Sequence, residues 1–314
     1  MRALPAVIAS LAAVLIGAST PAPASPSRPP FAVGIKTITF VDATRTVHFP
    51  GRPPEPRTLV TVIRYPAIGP RSGTDLRNAP PARTAARFPL IVFAHGFRVT
   101  PAPYARLLRA WARAGYVVAA PIFPRENANA PGGPDEADIV NQPRDMSFVI
   151  TRMLKLNATP GSPLEGVIAP REIAVAGQSD GGETALAVAY DRHFLDRRIR
   201  AAVILSGAEF PGAGRAYFPR PSPPLLAAQG TSDTMNEPRY TYAFFDAAPR
   251  PKFLLSLLGA SHLPPYTTEE PQLGIVERVT IDFLRDYLED APGALQAMLA
   301  SGNVRDVSTL TADP

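Results

Sequence analysis

Apolar positions fall along this chain in two rhythms. Early on they alternate: Leu59, Thr61, Ile63 and Tyr65 lie on one side and Val60, Val62 and Arg64 on the other, which is the period of a half-covered strand. Ile35 to Val41 reads as a second strand, separated from the first by the breaker Pro50-Gly51-Arg52-Pro53-Pro54. From residue 88 onward alternation gives way to unbroken apolar runs: Phe88 to Ala94, Tyr116 to Ile122, Ile173 to Ala176, Ala201 to Leu205, Leu225 to Gln229 and Phe253 to Leu258. Strands covered on both faces read this way. Helical spacing fills the intervals. Tyr104, Leu107, Leu108 and Trp111 share one face of Pro101 to Ala114, and Met146, Val149, Ile150, Met153 and Leu154 one face of Asp145 to Leu156. An alanine-rich helix follows Gly182, and two more span Pro238 to Ala247 and Gly274 to Leu288. Strands and helices alternating at this pitch predict an α/β fold: a mostly parallel central sheet with helices on both faces and antiparallel strands at its N-terminal edge.

The connecting segments differ in kind. Gly69 to Arg87 is polar, punctuated by proline, and predicts a surface loop. Phe123 to Arg144 is long for a connection within a compact domain and carries Arg125, Glu126, Asp135, Glu136 and Asp138 among its prolines and glycines. A loop of that length predicts a binding loop or a lid, though not an amphipathic lid helix. At the N-terminus, Arg2, the apolar run Val7 to Gly17 and Ala22-Pro23-Ala24 have the layout of a secretory signal peptide over residues 1–24, cleaved after Ala24. Residues 25–33 form a proline-rich tether, 34–290 the domain, and 291–314 a tail expected to add a short helix and then fray.

Composition narrows the chemistry. There is no cysteine among the 314 residues, so a disulfide framework, a thiol nucleophile and a thiolate metal site are all excluded. The formal charge is +5, and all but three of the 32 basic residues are arginine. They are scattered and form no nucleic-acid-binding stripe. The apolar run at the N-terminus is shorter than the ~20 residues that span a bilayer, and no later stretch approaches that length. The expectation is an exported protein with no metal, no cofactor and no stable membrane insertion. Nothing in the pattern speaks to oligomeric state.

Candidate chemistry centres on Gly177-Gln178-Ser179-Asp180-Gly181, a G-x-S-x-G sequence between a predicted strand and a predicted helix. A serine on so tight a turn is a nucleophile candidate, with glycines letting strand and helix pass closely. A serine hydroxyl needs a base, and only four histidines are available. His48 lies in the early edge region. His193, at the far end of the helix that starts beside Ser179, is about 20 Å away by helical rise. His95 precedes Gly96 in the loop after a central strand and is suited to orienting that loop. His262, in Gly259-Ala260-Ser261-His262 after the run Phe253 to Leu258, is placed to fold back over Ser179. For the acid, Asp233 follows the run Leu225 to Gln229 and is favoured, because sites in such sheets gather at the strands' carboxyl ends. Glu209, one strand earlier, is the rival. The N–H groups of Phe97 and Asp180 are the expected oxyanion donors.

In this order and spacing, Phe93-Ala94-His95-Gly96-Phe97, Gly177-Gln178-Ser179-Asp180-Gly181-Gly182, Gly230-Thr231-Ser232-Asp233 and Gly259-Ala260-Ser261-His262 resemble the α/β-hydrolase fold. The resemblance runs from about Leu59 to Leu288. It is greatest to secreted bacterial members related to dienelactone hydrolases, platelet-activating-factor acetylhydrolases and cutinase-like polyesterases. The chain departs from them at Gln178 and Asp180, where many relatives carry a histidine and an apolar residue. The resemblance implies a metal-independent serine esterase acting on small or lipid-like carboxylic esters, with short acyl chains favoured. An amidase, peptidase or polyester hydrolase would use the same triad. A non-catalytic secreted binding protein is the reading from a different class.

Overall fold

The computed structural model describes residues 30–210 and 217–314. The expected signal peptide and most of the tether lie outside the described residues.

The two alternating segments form a long hairpin, β1 (Ala32–Val47) and β2 (Glu55–Ala67), antiparallel and irregular between Asp42 and Thr46. Both strands outrun the sequence expectation, and the proline-rich breaker forms the connection. The loop after them holds a two-residue strand, β3 (Leu76–Arg77), paired with β1. Then come β4 (Phe88–Ala94), α1 (Ala105–Ala114), β5 (Val117–Ile122), a 3-10 turn (Glu136–Asn141) and α2 (Gln142–Ala158). The second half runs β6 (Ile168–Gln178), α3 (Asp180–Tyr190), β7 (Ala201–Leu205), β8 (Leu225–Gly230), α4 (Pro238–Ala247), β9 (Lys252–Leu257), α5 (Gln272–Glu289), α6 (Ala294–Gly302) and β10 (Ser308–Asp313).

Among the described residues the strands form one ten-stranded sheet, ordered β10-β9-β8-β7-β6-β4-β5-β2-β1-β3. Its middle, from β5 to β9, is parallel, and β2 joins it antiparallel at the N-terminal side. This is the α/β-hydrolase architecture expected from the sequence. Two separate apolar clusters lie on the two faces of the sheet. One gathers Val92, Val175 and Ile204 with Met146 and Ile150 of α2, and the other Ile91, Phe93 and Val203 with Trp111 of α1 and Phe283 of α5. Every residue of β4 is buried, as its unbroken apolar run requires.

Two expectations need correction. The tail does not fray: after α6, Ser308–Asp313 pairs antiparallel with β9 and closes the far edge of the sheet. Ser308 and Leu310 face inward there while Thr309 and Thr311 face solvent. The helix expected from Pro101 begins only at Ala105, because Pro101 to Tyr104 turn first. Among the described residues no helix is long and apolar enough to cross a membrane.

Candidate active site

Register brings the carboxyl ends of the parallel strands level. Ala94 pairs with Gly177, Gln178 with Leu205, and Gly230 with Leu257. The residues that leave these ends, His95, Ser179, Ser206, Asp233 and His262, therefore converge above one edge of the sheet.

Ser179 sits between β6 and α3 with φ 58° and ψ −126°, a conformation non-glycine residues rarely adopt. The turn is held because the Ser179 N–H donates to the Leu205 carbonyl (3.0 Å) and its own carbonyl accepts from Glu183 N–H (3.0 Å). Glycine at 177 is compulsory, since a Cβ there would lie 1.9 Å from the carbonyl oxygen of Gly181. Gly96 is close-packed in the same way, with a Cβ 3.1 Å from that of Ser179. The loop after β4 is thereby brought against the nucleophile candidate.

The structure brings Ser179, His262 and Asp233 into one hydrogen-bonded line. Ser179 Oγ lies 2.8 Å from His262 Nε2, and His262 Nδ1 lies 2.7 Å from Asp233 Oδ2. A carboxylate can only accept, so Nδ1 carries the proton and Nε2 is free to accept from the serine hydroxyl. Asp233 is fully engaged. Its Oδ1 accepts from the N–H groups of Met235 (2.9 Å) and Asn236 (3.0 Å), and Gln229 Nε2 donates to Oδ2 (3.3 Å). Burial alone would raise its pKa, but the bond and charge of His262 and the Met235 N–H hold the carboxyl below its usual range. Glu209, the rival acid, is not a partner of His262. It lines a separate hollow with Tyr217, Phe218 and Ala243.

Among the described residues the N–H groups of Phe97 and Asp180 donate to no backbone carbonyl, and both residues line the cleft that holds Ser179 and His262. His95 is buried. Its Nε2 accepts from Phe123 N–H (3.1 Å) and its Nδ1 donates to the Gly96 carbonyl (2.8 Å). Burial pushes its pKa down to about 4. It is thus a neutral brace for the loop, as the sequence suggested. His48 is exposed, and His193 bonds Asp191 just beyond the end of α3.

Sequence reading missed a second polar chain. Gly96 N–H donates to Tyr104 Oη (3.3 Å), Tyr104 Oη donates to Gln178 Oε1 (2.7 Å), and Gln178 Nε2 donates to the His262 carbonyl (3.2 Å). It ties the loop of His262 to the loop carrying Phe97. Tyr104 was legible only as part of an apolar face, and Gln178 only as a neighbour of the serine. The cleft, about 600 Å³, is walled by Phe97, Leu263, Pro264, Val99, Thr234 and Met235. Phe123 packs on His95 with ring centroids 4.9 Å apart and is fully buried. Of the long segment after it, Glu136 alone reaches the cleft.

The segment is fastened rather than free. Arg57, buried on β2, donates to Asp138 (3.0 and 2.7 Å) and to Asp145 (2.7 to 2.9 Å). Arg125 pairs with Asp135, and Asn127 Nδ2 donates to the Phe123 carbonyl (2.7 Å).

A family model described as chlorophyllase matches residues 72–239, more than half of the chain. The match takes in Phe97, Ser179, Asp180 and Asp233 and stops short of His262. A comparison with curated proteins gives no significant match.

Proposed function

The chain belongs to the chlorophyllase family, an α/β-hydrolase family of ester hydrolases, and from that premise we propose that it is an exported serine carboxylic-ester hydrolase with Ser179, His262 and Asp233 as its triad. The observation that carries the reading is the continuous line Ser179 Oγ–His262 Nε2, His262 Nδ1–Asp233 Oδ2, at 2.8 and 2.7 Å. In this mechanism Ser179 Oγ attacks the acyl carbon while its proton passes to His262 Nε2. The N–H groups of Phe97 and Asp180 receive the negative charge on the former carbonyl oxygen. Collapse expels the alcohol, which takes the proton from His262, and leaves an acyl-enzyme. Water then attacks, giving a proton to His262. The second collapse releases the acid and returns that proton to Ser179. Asp233 keeps its carboxylate throughout and holds the imidazole in the productive tautomer.

Export is part of the proposal and rests on the layout of residues 1–24. Short acyl esters are the favoured substrates, because the cleft walls Phe97, Leu263 and Pro264 are apolar but few. The test joins a fluorophosphonate probe to a panel of p-nitrophenyl esters of rising acyl length. Labelling at Ser179 together with hydrolysis supports the reading, and an unlabelled, inactive protein overturns it. A chlorophyll arm in the same panel tests whether the activity in the family's name extends to this chain.

A further inference from the structure

Around the start of α3, next to Ser179, lie acids that the proposed mechanism does not use. Glu126, on the loop after β5, is fully buried, and neither carboxylate oxygen has a hydrogen-bond partner. Gln142 Nε2, which neighbours it and pulls its pKa down, makes no close hydrogen bond. Asp180, at the start of α3, is 7% exposed and its Oδ2 has no partner. Glu183 follows one turn later on the same helix face. Glu136, on the 3-10 turn, shares the wall of the cleft with Asp180 and Ser179.

These acids act on one another. Burial, then Asp180, Asp138 and Glu136, push Glu126 up to about 9. Burial and then Glu136 push Asp180 up to about 6, against the pull of His262, its own N–H and the Ser179 hydroxyl. Burial, Asp180 and Glu136 push Glu183 up to about 8. Of the nearby cations, Arg57 holds Asp138 and Asp145, and Arg125 holds Asp135 through Nη2 while its buried Nη1 has no partner. Arg98, at the cleft rim, makes no ion pair with them. The N-terminus of α3 favours Asp180 and Glu183 as anions, yet both are still pushed up. Buried carboxylates kept for structure are paired or hydrogen-bonded, because leaving them otherwise is costly. Among the described residues no three acids or histidines are grouped to hold a metal ion.

We propose that Asp180 and Glu136 form a subsite for an organic cation, so that this cleft takes esters bearing an ammonium group near the scissile bond. The proposal rests on the ester-hydrolase reading above. Asp180 adjoins the nucleophile, so a cation held by it is a short tether away from the ester carbonyl. The half-buried ring of Phe97, on the same cleft, suits a quaternary ammonium. The cation also acts on the reaction itself. An ionised Asp180 opposes the oxyanion that forms beside its own N–H, and a substrate cation cancels that charge. The advantage of a cationic ester therefore grows as pH rises through about 6, where Asp180 ionises.

Butyrylthiocholine and its uncharged isostere, 3,3-dimethylbutyl thiobutyrate, isolate the charge. At pH 8 the wild type is expected to favour the cationic ester by about tenfold or more in kcat/KM, with the ratio shrinking toward pH 5. Glu136→Gln and Asp180→Asn should each lower the ratio by at least about threefold, since each removes one charge of a partly buried set. A ratio near one, or a ratio unchanged in both variants, overturns the subsite. Calorimetry with butyltrimethylammonium, which contains no ester, separates the two readings. Binding without turnover of either ester sinks the ester-hydrolase reading and keeps the subsite. Turnover of the neutral ester with no such binding sinks the subsite and keeps the hydrolase.

Discussion

Ser179 has two flanks, and each holds a buried aspartate. Asp233 on one side is 3% exposed and Asp180 on the other 7%, so desolvation penalises both. Asp233 nonetheless lies below the usual carboxyl range, while Asp180 rises to about 6. The difference is in their partners. Asp233 accepts four hydrogen bonds, from His262, Gln229, Met235 and Asn236, whereas Asp180 leaves Oδ2 empty and faces Glu136. Burial sets the penalty on a charge, and the donors around it decide whether the charge survives. In the proposed mechanism the matched flank keeps its carboxylate fixed through the reaction cycle, and in the proposed subsite the unmatched flank responds to what enters.

The nucleophile common to both flanks gives the largest expected effect. Ser179→Ala should lower kcat/KM on p-nitrophenyl butyrate by about 10⁴ or more with the fold preserved, since the rest of a triad does little without its nucleophile. A variant retaining more than a tenth of wild-type turnover would remove Ser179 from the mechanism.

On the matched flank, Asp233→Asn should lower kcat by roughly 10⁴, because the amide can donate and invites the wrong imidazole tautomer. Glu209→Gln, in its separate hollow, should change kcat by less than about threefold, within the scatter of a surface change. Steady-state kinetics on both variants decides the matter. The reverse ranking would transfer the acid's role to the end of β7.

These residues were legible in the sequence because strand ends are. A strand covered on both faces reads as an apolar run, and its C-terminal boundary marks where a site side chain can emerge. Asp233 and Phe97 became candidates that way, while Ser179 also had its G-x-S-x-G motif and His262 the shortness of the histidine list. The unmatched flank was not legible as a group. Glu126, Glu136, Asp180 and Glu183 come from a loop, a 3-10 turn and a helix, and only folding superposes them. The Arg57 anchor was hidden for the same reason: its partners Asp138 and Asp145 lie 81 and 88 positions on. Strand β10 escaped because Ser308–Asp313 buries only Ser308 and Leu310, too few positions for an alternation to stand out.

Two buried groups near the site, Glu126 and His95, make stability depend on pH in opposite senses. Glu126 has a folded pKa of about 9 against an ordinary 4.5. Between those values the folded state holds a proton the unfolded state has lost, so stability falls as pH rises. His95 is lowered to about 4 from 6.5. There the unfolded state binds the extra proton, and stability falls as pH drops from about 6.5 toward 4. Glu126→Gln, neutral at every pH, should therefore stabilise the protein by about 3 kcal/mol at pH 7 and by almost nothing at pH 4. Denaturant titrations at the two pH values measure this. An equal effect at both, or a loss at pH 7, would mean that Glu126 is charged and satisfied.

The smallest expected effect concerns the apolar side of the cleft, and it tests whether acid or apolar wall governs selection. Phe97, Val99, Leu263, Pro264 and the exposed Met235 offer a short greasy surface, while Glu136 brings a charge onto the same wall from a segment fastened by Arg57. Each methylene that finds room there gains about 0.8 kcal/mol, a factor of roughly four in kcat/KM. Once the wall is covered, the next methylene lies in water or against Glu136 and gains nothing. Acyl chains from acetyl to about hexanoyl should therefore rise by at most that factor per carbon, and longer chains should then decline. No jump in rate should appear above the concentration at which the ester forms a separate phase, because the 3-10 turn and its loop present no wide apolar face. A higher kcat/KM on a C12 or C16 ester than on butyrate would show that the apolar surface extends well beyond these residues, and that the acidic flank is not the dominant selector.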